Sequence, residues 1–326
     1  MGDGGERDIL RDARDARSVT GPAPRARTVR RGHALSLGHP PSSSGSPIND
    51  YVALVIAYRD HQLVRAVLER LSAQTIPPSE VIIVDNGGTL DPQDLTGPLR
   101  ERTRLIPRPD NPGYGPAVNE ARSLAGSALL VLTHDAVFDE TLAAQLLDAL
   151  ADTPDSGASA PLLRYAADPS RVFSAGGVLT SGGRALHRTA EDGVTPHPVD
   201  WADGAIMMYR RTALDAIDWI SEEYFLYFED VDTAWRMRQA GWSTLVVPAA
   251  NAFQQPGTHP MYLGIRNMTL FARHAQIPLL PHLGAVARRV AEEAAARVLR
   301  GRRPELVAAW RGWRDGRRGR GGKPAS

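Results

Sequence analysis

Apolar runs of strand length alternate with helix-length segments in the first half of the chain. Residues 51–58 read YVALVIAY and residues 80–86 read EVIIVDN, and a helical pattern from about Leu63 to Ala73 lies between them. A further apolar run, Leu129 to Leu132, follows after another helix-length interval. Strands that are apolar throughout and separated by helices are typical of a parallel sheet covered on both faces. The pattern therefore predicts an α/β fold.

The second half of the chain has a mixed pattern. It predicts strands near Ala205 to Tyr209 and Ser243 to Val247, on either side of the segment YFLYFEDVDTAWRMRQAG at residues 224–241. The residues after the aromatic run of this segment have apolar positions on one helical face, and Gly241 supplies a C-terminal stop. We expect a helix there, with Glu229 and Asp230 at its entrance.

The last part of the chain predicts a basic amphipathic helix. Arginines alternate there with apolar residues at positions 283, 286, 290, 294 and 298. One interpretation is a helix that packs on the domain. The other is peripheral attachment to an anionic membrane surface on the inner face of the membrane, assisted by the arginines of the closing RRGRGGK segment.

The amino-acid composition indicates how the chain is divided into segments and that its main part is globular. With 326 residues, 42% of them hydrophobic and 23% charged, the chain has material for one large domain. Residues 1–49 are rich in Arg, Pro and Ser and predict a disordered tail. We therefore divide the chain into this tail, a domain over residues 50–275, and a basic helical extension with a tail over residues 276–326.

Charge and cysteine content exclude several functions. A formal net charge of +1 gives no overall case for a nucleic-acid partner, although arginines crowd both ends of the chain. The absence of cysteine excludes disulfides, thiolate zinc sites and a cysteine nucleophile. No apolar run approaches the roughly 20 residues that a membrane-spanning helix needs. The default expectation is a cytoplasmic protein.

Polar residues follow three of the predicted strands, where ligands of parallel sheets bind. Tyr58, Asp85 and Asp135 come directly after the first three apolar runs. Asp85 is suited to a nucleobase or ribose and Asp135 to a hard divalent cation, but Asp after a strand is also a common turn former. Between these strands the segment NPGYGPAVNEA, residues 111–121, has glycines that let the backbone approach a ligand before a helix near Ala117.

The adjacent acids Glu229 and Asp230 are the strongest candidates for catalysis. Apolar surroundings raise the proton affinity of a carboxylate, and the aromatic run before these acids supplies such surroundings, which suits a general base. The competing interpretation is structural, because carboxylates at a helix entrance also stabilise the free N–H groups and the positive end of the helix dipole. This segment alone does not decide between the two.

Taken in order, the segments resemble the family 2 glycosyltransferases with a GT-A fold, particularly their rhamnosyltransferase-like branch. The resemblance spans residues 52 to about 273. The segments that carry it are VALVIAYRD, SAQTIPPSEVIIVDNGG, DNPGYGPAVNEA, LLVLTHD, WADGAIMMYRR, YFLYFEDVDTAWRMRQAGW and YLGIRNMTLFAR. It implies a mostly parallel, Rossmann-like nucleotide-binding sheet followed by a mixed acceptor-binding half.

The resemblance also implies an activity and a set of site residues. The activity is the inverting transfer of a sugar, such as rhamnose, from a nucleoside diphosphate-sugar to a hydroxyl of a glycan, a lipid-linked intermediate or a small molecule. By resemblance Asp230 is the base, Glu229 positions a neighbour or shares that role, and Asp135 binds Mg²⁺ or Mn²⁺. The other implied residues are Tyr58, Asp85, Asn111, Gly113 and Asn119 on the donor side, and Trp201, Gly204 and Ala205 on the acceptor side.

Two departures from the family pattern concern the metal. The triplet Thr133-His134-Asp135 stands where the family usually has a second acid or an Asn, and His134 is either a ligand for a transition metal or simply hydrogen-bonded. Where the branch often has a histidine after the last core strand, this chain has Gln254, with His259 a few residues later. Either His259 substitutes, or that function is lost and metal dependence is weaker.

Three alternatives remain open from the sequence. A catalytically silent nucleotide-sugar binder is conceivable because of the altered triplet, although Glu229 and Asp230 argue against it. A sugar nucleotidyltransferase needs a glycine-rich, basic signature after its first strand, where this chain offers Arg59. A nucleic-acid binder based on the terminal arginines is the third alternative.

Overall fold

The computed structural model describes residues 48, 50–124, 126–191, 193–255, 257 and 259–324. The predicted disordered tail, residues 1–49, lies outside the described residues apart from Ile48. Ile48 packs in the main hydrophobic core with 7% of its surface exposed. The described part of the chain is a mixed α/β structure built on a ten-stranded sheet.

The first four strands confirm the predicted parallel sheet. They are β1 (Tyr51–Ala57), β2 (Glu80–Asp85), β3 (Thr103–Pro107) and β4 (Ala128–Thr133). All three pairings among them are parallel, with β1 between β2 and β4 and with β3 beyond β2. Helix α1 (His61–Ser72) connects β1 to β2 and begins at Asp60, whose side chain accepts hydrogen bonds from the backbone N–H groups of Gln62 and Leu63.

The strands that follow in the chain mix directions, as the sequence predicts. They are β5 (Val137–Phe138), β6 (Ser156–Tyr165), β7 (Asp168–Ser174), β8 (Gly177–Leu179), β9 (Ala185–His187), β10 (His197–Val199), β11 (Ile206–Arg210) and β12 (Ser243–Gln254). The main order is β10-β12-β6-β11-β4-β1-β2-β3. β5 pairs with β12, β7 pairs with β6, and β8 and β9 form a separate hairpin.

The direction of the strands decides which ends meet. β11 is antiparallel to both β4 and β6, so β6 runs parallel to β4, and β12 runs parallel to β6. Six strands (β1, β2, β3, β4, β6 and β12) therefore end at one edge of the sheet, where β11 begins. We call this the C-terminal edge, and it collects the loops after Asp85, Thr133 and Gln254 with the loop before Ile206.

Seven further helices cover the sheet and its edge. They are α2 (Tyr114–Asn119), α3 (Leu142–Asp152), α4 (Arg211–Ala216), α5 (Glu229–Gln239), α6 (Met261–His274), α7 (Leu279–Leu299) and α8 (Leu306–Arg317). Helix α2 begins three residues before the position predicted near Ala117, at Tyr114, directly after the positive-φ residue Gly113. Helix α5 matches its prediction: its apolar face is buried, Arg236 pairs with Asp232, and the chain leaves it through Gly241 at φ +89°.

The C-terminal extension contains more structure than the sequence predicts. Val286 and Val290 of the predicted amphipathic helix, α7, pack against Met261 and Ile265 of α6, as in the interpretation of a helix docked on the domain. The second helix, α8, was not predicted, and it packs against α6 through Ala309. In the described part of the chain, no helix is both long enough and apolar enough to cross a bilayer.

Candidate active site at the C-terminal edge of the sheet

The two predicted catalytic acids are the first residues of helix α5 and have different surroundings. Glu229 is buried, with 6% of its surface exposed, and its Oε2 has no hydrogen-bond partner among the described residues. Asp230 is half-buried: its Oδ1 accepts from the backbone N–H of Val231 at 2.8 Å and its Oδ2 from that of Gly204 at 3.2 Å. The predicted acceptor-side residue Gly204 thus lies directly beside the predicted base.

A third acid, Asp203, connects Asp230 with the predicted metal ligand. Its Oδ1 accepts from the backbone N–H of Ala205 at 3.0 Å, and the carbonyl of Ala205 accepts from the N–H of Thr133 at the end of β4. The charges of both Asp135 and Asp230 interact with the Asp203 carboxyl. Asp203 was missed in the sequence, although it lies within the quoted segment WADGAIMMYRR.

This group of carboxyls binds protons more tightly than ordinary acids. Burial first, and then the charge of Asp203, raises the pKa of Asp230 to about 7. Burial and the charge of Asp230 raise the pKa of Glu229 to about 8. Burial also raises the pKa of Asp203, and Asp135 adds to that effect. A carboxylate that changes protonation near neutral pH is suited to accept a proton from a substrate.

The loop before these acids has a strained backbone. Phe225, Tyr227 and Phe228 have φ values of +67°, +71° and +76°, which non-glycine residues rarely adopt. The amide of Asn267 in α6 donates to three carbonyls of this loop: Tyr224 at 3.1 Å, Leu226 at 2.7 Å and Tyr227 at 2.8 Å. One buried side chain from a later helix therefore fixes the entrance to the acids.

The neighbouring Arg266 ties the same loop to the end of the described chain. Its guanidinium donates to the carbonyls of Tyr224 at 2.7 Å and Gly322 at 2.8 Å. The N–H of Gly322 in turn donates to the carbonyl of Glu223 at 2.6 Å. Lys323 donates to the carbonyl of Asp110 at 2.8 Å, next to the predicted donor residue Asn111. The positioning role of Arg266 and Asn267 was missed, although two polar residues inside the apolar stretch YLGIRNMTLFAR signal it.

The glycines of the segment NPGYGPAVNEA allow a close approach of protein backbone. A methyl group on Gly113, at φ +104°, would overlap the carbonyl of Phe225, and one on Gly115 would overlap that of Ser221. Tyr114 between them donates its hydroxyl to the carbonyl of Gly204 at 2.6 Å. The space at these glycines, which the sequence predicted for a ligand, is therefore filled by the backbone of the loop before α5. This contact joins the predicted donor side to the predicted acceptor side.

The predicted donor residues Tyr58 and Asp85 lie at the same edge. Asp85 is fully buried, and its carboxylate accepts from the N–H groups of Gly87 at 2.9 Å, Thr89 at 2.6 Å and Leu90 at 2.7 Å. It therefore has the turn-forming role that the sequence left open, and contact with a nucleobase stays a prediction. Tyr58 is half-buried, with the guanidinium of Arg59 4.9 Å from its ring centre.

Asn111 and Asn119 do not share one location. Asn111 has φ +44° and its N–H donates to the carbonyl of Arg108, in the loop that Lys323 reaches. The side chain of Asn119 donates to Ile220 and Glu222 and lines a separate cavity of about 680 Å³. The lining of that cavity includes none of the four acids of the C-terminal edge, so Asn119 is not brought together with them.

The remaining predicted residues flank the edge. The backbone N–H of His134 donates to the carbonyl of Ile56 at 3.1 Å, and its ring makes no hydrogen bond to a described residue. Trp201 is buried, and its ring centre is 4.8 Å from that of His187. His259 stacks edge-on against Tyr227 with ring centres 4.3 Å apart; displacement of water around the ring lowers its pKa, and Asp203 acts in the opposite direction.

Five buried polar atoms around this edge have no hydrogen-bond partner among the described residues. They are Asn86 Oδ1, Thr133 Oγ1, Trp201 Nε1, Glu229 Oε2 and Gln254 Oε1. Such atoms are costly in a folded protein unless a ligand or water satisfies them. Together with the raised proton affinity of Asp230 and the nearby Asp135, they make the C-terminal edge the candidate active site.

Comparison with known proteins identifies a family whose model spans these residues. The model of the family described as "Glycosyltransferase like family 2" matches residues 49–269, which include every acid of the candidate site. A Mycobacterium tuberculosis protein named N-acetylglucosaminyl-diphospho-decaprenol L-rhamnosyltransferase is 29% identical over 227 residues, covering 60% of this chain and 73% of that protein.

Solved structures share the fold at low sequence identity. A mannosyltransferase from Pyrobaculum calidifontis, in complex with GDP-Man and Mn²⁺, has a TM-score of 0.50 and 15% identity over 86% of this chain and 87% of its own. GalNAc-T7, crystallised with UDP, GalNAc and Mn²⁺, has a TM-score of 0.53 and 12% identity over 69% of this chain. The match covers 47% of the GalNAc-T7 chain.

Proposed function

The chain belongs to glycosyltransferase family 2, and from that premise we propose that it transfers a sugar, of the rhamnose class, from a nucleoside diphosphate to an acceptor hydroxyl with inversion. The observation that carries the proposal is the group Asp135, Asp203 and Asp230 at the C-terminal edge. The Asp203 carboxyl interacts with the charge of Asp135, which follows β4, and with that of Asp230 on helix α5. The group therefore lies between the strand ends of the donor half and helix α5.

Asp230 is the base of the proposed reaction. Its Oδ2 faces the backbone of Gly204 on the acceptor side, and its raised pKa makes it an effective proton acceptor near pH 7. Removing the proton from the acceptor hydroxyl strengthens the attack on the anomeric carbon as the diphosphate leaves from the opposite side. Glu229, which is more deeply buried, stays protonated at neutral pH and thereby limits like-charge repulsion at Asp230.

Asp135 and Asp203 are the residues that would hold a divalent cation. No cluster of three or more potential ligands (His, Cys, Asp or Glu) exists within the described ranges, so an all-protein cage is not the basis of this proposal. Mg²⁺ needs one or two carboxylates and completes its shell with substrate phosphates and water, which fits this pair of acids. Bound there with the donor, the cation would stabilise the charge of the departing diphosphate.

The acceptor is proposed to be a lipid-linked glycan. The name of the M. tuberculosis relative specifies a sugar on a diphospho-decaprenol, and two aromatic rings, Tyr227 and His259, lie in contact on the acceptor side of this chain. Aromatic faces are suited to pack against the C–H groups of a sugar ring while Asp230 contacts its hydroxyl.

A corner of the C-terminal extension supports contact with the membrane that would contain such an acceptor. The turn between α7 and α8 exposes apolar side chains next to basic ones: Val298, Leu299, Leu306, Val307 and Trp310, beside Arg300, Arg303 and Arg311. Apolar groups that insert between headgroups and arginines that attract anionic lipid are the two components of peripheral binding. Leu299→Ser combined with Trp310→Ser should abolish flotation with anionic vesicles; unchanged flotation would refute this contact.

The proposed reaction is tested by presenting purified protein with a panel of nucleoside diphosphate-sugars and a lipid-linked or short-chain diphosphate acceptor. We expect transfer that requires Mg²⁺ or Mn²⁺ and is lost in Asp135→Asn and Asp203→Asn. Nucleotide-dependent thermal stabilisation without transfer from any donor would instead favour the silent binder.

A further inference from the structure

A basic residue outside the family match faces the candidate active site. Arg289 lies on α7, beyond residues 49–269, and its guanidinium crosses α6 at Gly264. A methyl group on Gly264 would overlap Nη2 of Arg289, so the absence of a side chain at this position makes room for the guanidinium. The arginine is therefore held at a defined place against the helix that follows His259.

Arg289 differs from its basic neighbours in having no counter-ion in contact. Arg288, the adjacent residue, pairs with Glu292 at 2.7 Å, and Arg184 of the β8–β9 hairpin pairs with the same carboxylate at 2.5 Å. Arg289 makes no hydrogen bond or ion pair with any residue that the structure describes. It is half-buried; burial and the charge of Arg184 lower its pKa, and the charge of Glu293, one turn further along α7, acts in the opposite direction without forming an ion pair within the described residues. A partly enclosed guanidinium without a hydrogen-bonded anion is less favourable than one that an anion completes.

Contacts through neighbouring residues connect Arg289 with the acids of the candidate active site. Gly264, beside the Arg289 guanidinium, donates its N–H to the carbonyl of Pro260 at 3.0 Å, and Pro260 directly follows His259. His259 contacts Tyr227, two residues before Glu229. An anion bound by Arg289 would thus lie beside the candidate active site, on the side of α6 and α7. A guanidinium presents paired N–H donors that match the oxygens of a phosphate.

We propose that Arg289, placed by Gly264 and next to His259, binds the diphosphate group of a substrate. The proposal rests on the proposed function, because that reaction offers two diphosphates. One belongs to the nucleotide-sugar donor and the other to the lipid-linked acceptor. Both have the same chemistry, and kinetics with each substrate varied separately distinguish them.

The test compares Arg289→Gln with Arg288→Gln, a matched control that removes the same charge from the exposed neighbouring position. A charge-assisted contact contributes about 1.5–3 kcal/mol, so we expect the KM for one diphosphate substrate to rise at least about tenfold in Arg289→Gln, with kcat little changed. A raised KM for the acceptor identifies the lipid-linked diphosphate, and a raised KM for the donor identifies the nucleotide. Arg288→Gln should leave both values within about twofold.

A second variant avoids dependence on the folding of Arg289→Gln. Gly264→Ala should displace the guanidinium and raise the same KM, while thermal stability stays equal or increases, because alanine is favoured over glycine inside a helix. Unchanged KM values for both substrates in both variants would overturn the proposal.

Calorimetry with inorganic pyrophosphate separates this proposal from the proposed function. Wild type and Arg288→Gln should bind pyrophosphate, and Arg289→Gln should bind it at least about tenfold more weakly. Equal affinity in all three proteins would refute the site even if transfer is observed. Selective weakening in a protein that transfers no sugar would support the site while refuting the reaction.

Discussion

The two sides of helix α5 contain acids of the same kind with opposite behaviour. On the edge side, Glu229 and Asp230 have raised pKa values because burial and neighbouring carboxyls disfavour their charge. On the other side, Asp232 is also buried, yet the nearby His274 ring, the ion pair with Arg236 and the hydroxyl of Tyr224 hold its pKa below the ordinary value. Burial alone therefore does not decide the protonation of these carboxyls; the charged and hydrogen-bonding partners do. The acids of the edge side hold a proton near neutral pH, whereas Asp232 is ionised and paired.

The largest expected effect is on catalysis at the edge side. Asp230→Asn should lower kcat about 10²–10⁴-fold, because the amide cannot accept the acceptor proton. In wild type the rate should fall as pH drops below about 7, where Asp230 becomes protonated. Initial rates from pH 5 to 9 measure both effects. A variant with wild-type kcat would show that the base lies elsewhere.

The second effect is on stability at the other side. Asp232→Asn leaves Arg236 and His274 without their shared carboxylate, and removing one partner of a buried pair is strongly destabilising. We expect the free energy of unfolding to fall by about 2–4 kcal/mol in denaturant titrations. The control is Glu191→Gln, which breaks the exposed pair with Arg164 and should cost less than about 1 kcal/mol. Equal losses in the two variants would remove the distinction between the two sides.

The third effect, at Glu229, is a gain in the free energy of unfolding rather than a loss. Its pKa is raised in the folded protein, so the protonated native form contributes stability below the ordinary pKa of 4.5, and this contribution is lost as pH rises through about 8. Glu229→Gln cannot ionise, so it should gain on wild type between pH 5 and 9. We expect an advantage on the order of 1–3 kcal/mol at pH 9 by chemical denaturation. An advantage that is largest at pH 5 would contradict the sign.

The smallest effect is at His274, where the effect of substitution on stability decreases as pH rises. The carboxylates of Asp232, 3.8 Å from Nδ1, and of Glu223, 3.0 Å from Nε2, raise the pKa of His274. Its protonated form therefore stabilises the fold below the ordinary value of 6.5, and this contribution disappears as pH rises through the folded pKa. His274 is partly exposed, which weakens its ion pairs. His274→Gln should cost less than about 1 kcal/mol at pH 5.5 and nothing comparable at pH 9. A cost that grows with pH would exclude this ion pairing.

The sequence predicted the parts of the molecule whose causes are local. Apolar strands such as Val81 to Val84, the helical period after Asp60 and the stop at Gly241 each depend on neighbouring residues, and each is found. The family resemblance added the order of these parts, and the family match confirms it.

Sequence reasoning missed what depends on distant contacts. The link through Asp203, the three carbonyls held by Asn267 and the packing of α8 on α6 join segments far apart in the chain. The glycines at 113 and 115 show the limit clearly: their need for backbone space was read correctly, but the backbone that fills it belongs to residues 221–225. No local pattern identifies such a partner.

The hydrogen bonds that hold the strained loop to Asn267, Arg266 and Gly322 have a consequence for folding during translation. When residues 51–133 have left the ribosome, the strands β1 to β4 can already pair, since their contacts lie within that stretch. The loop before Glu229 and Asp230 is held by the side chains of Arg266 and Asn267 and by the backbone of Gly322. These two acids therefore reach their final arrangement only after almost a hundred residues beyond them have been synthesised. A nascent chain can therefore complete the parallel strands of its first half well before the loop that positions Glu229 and Asp230 is fixed.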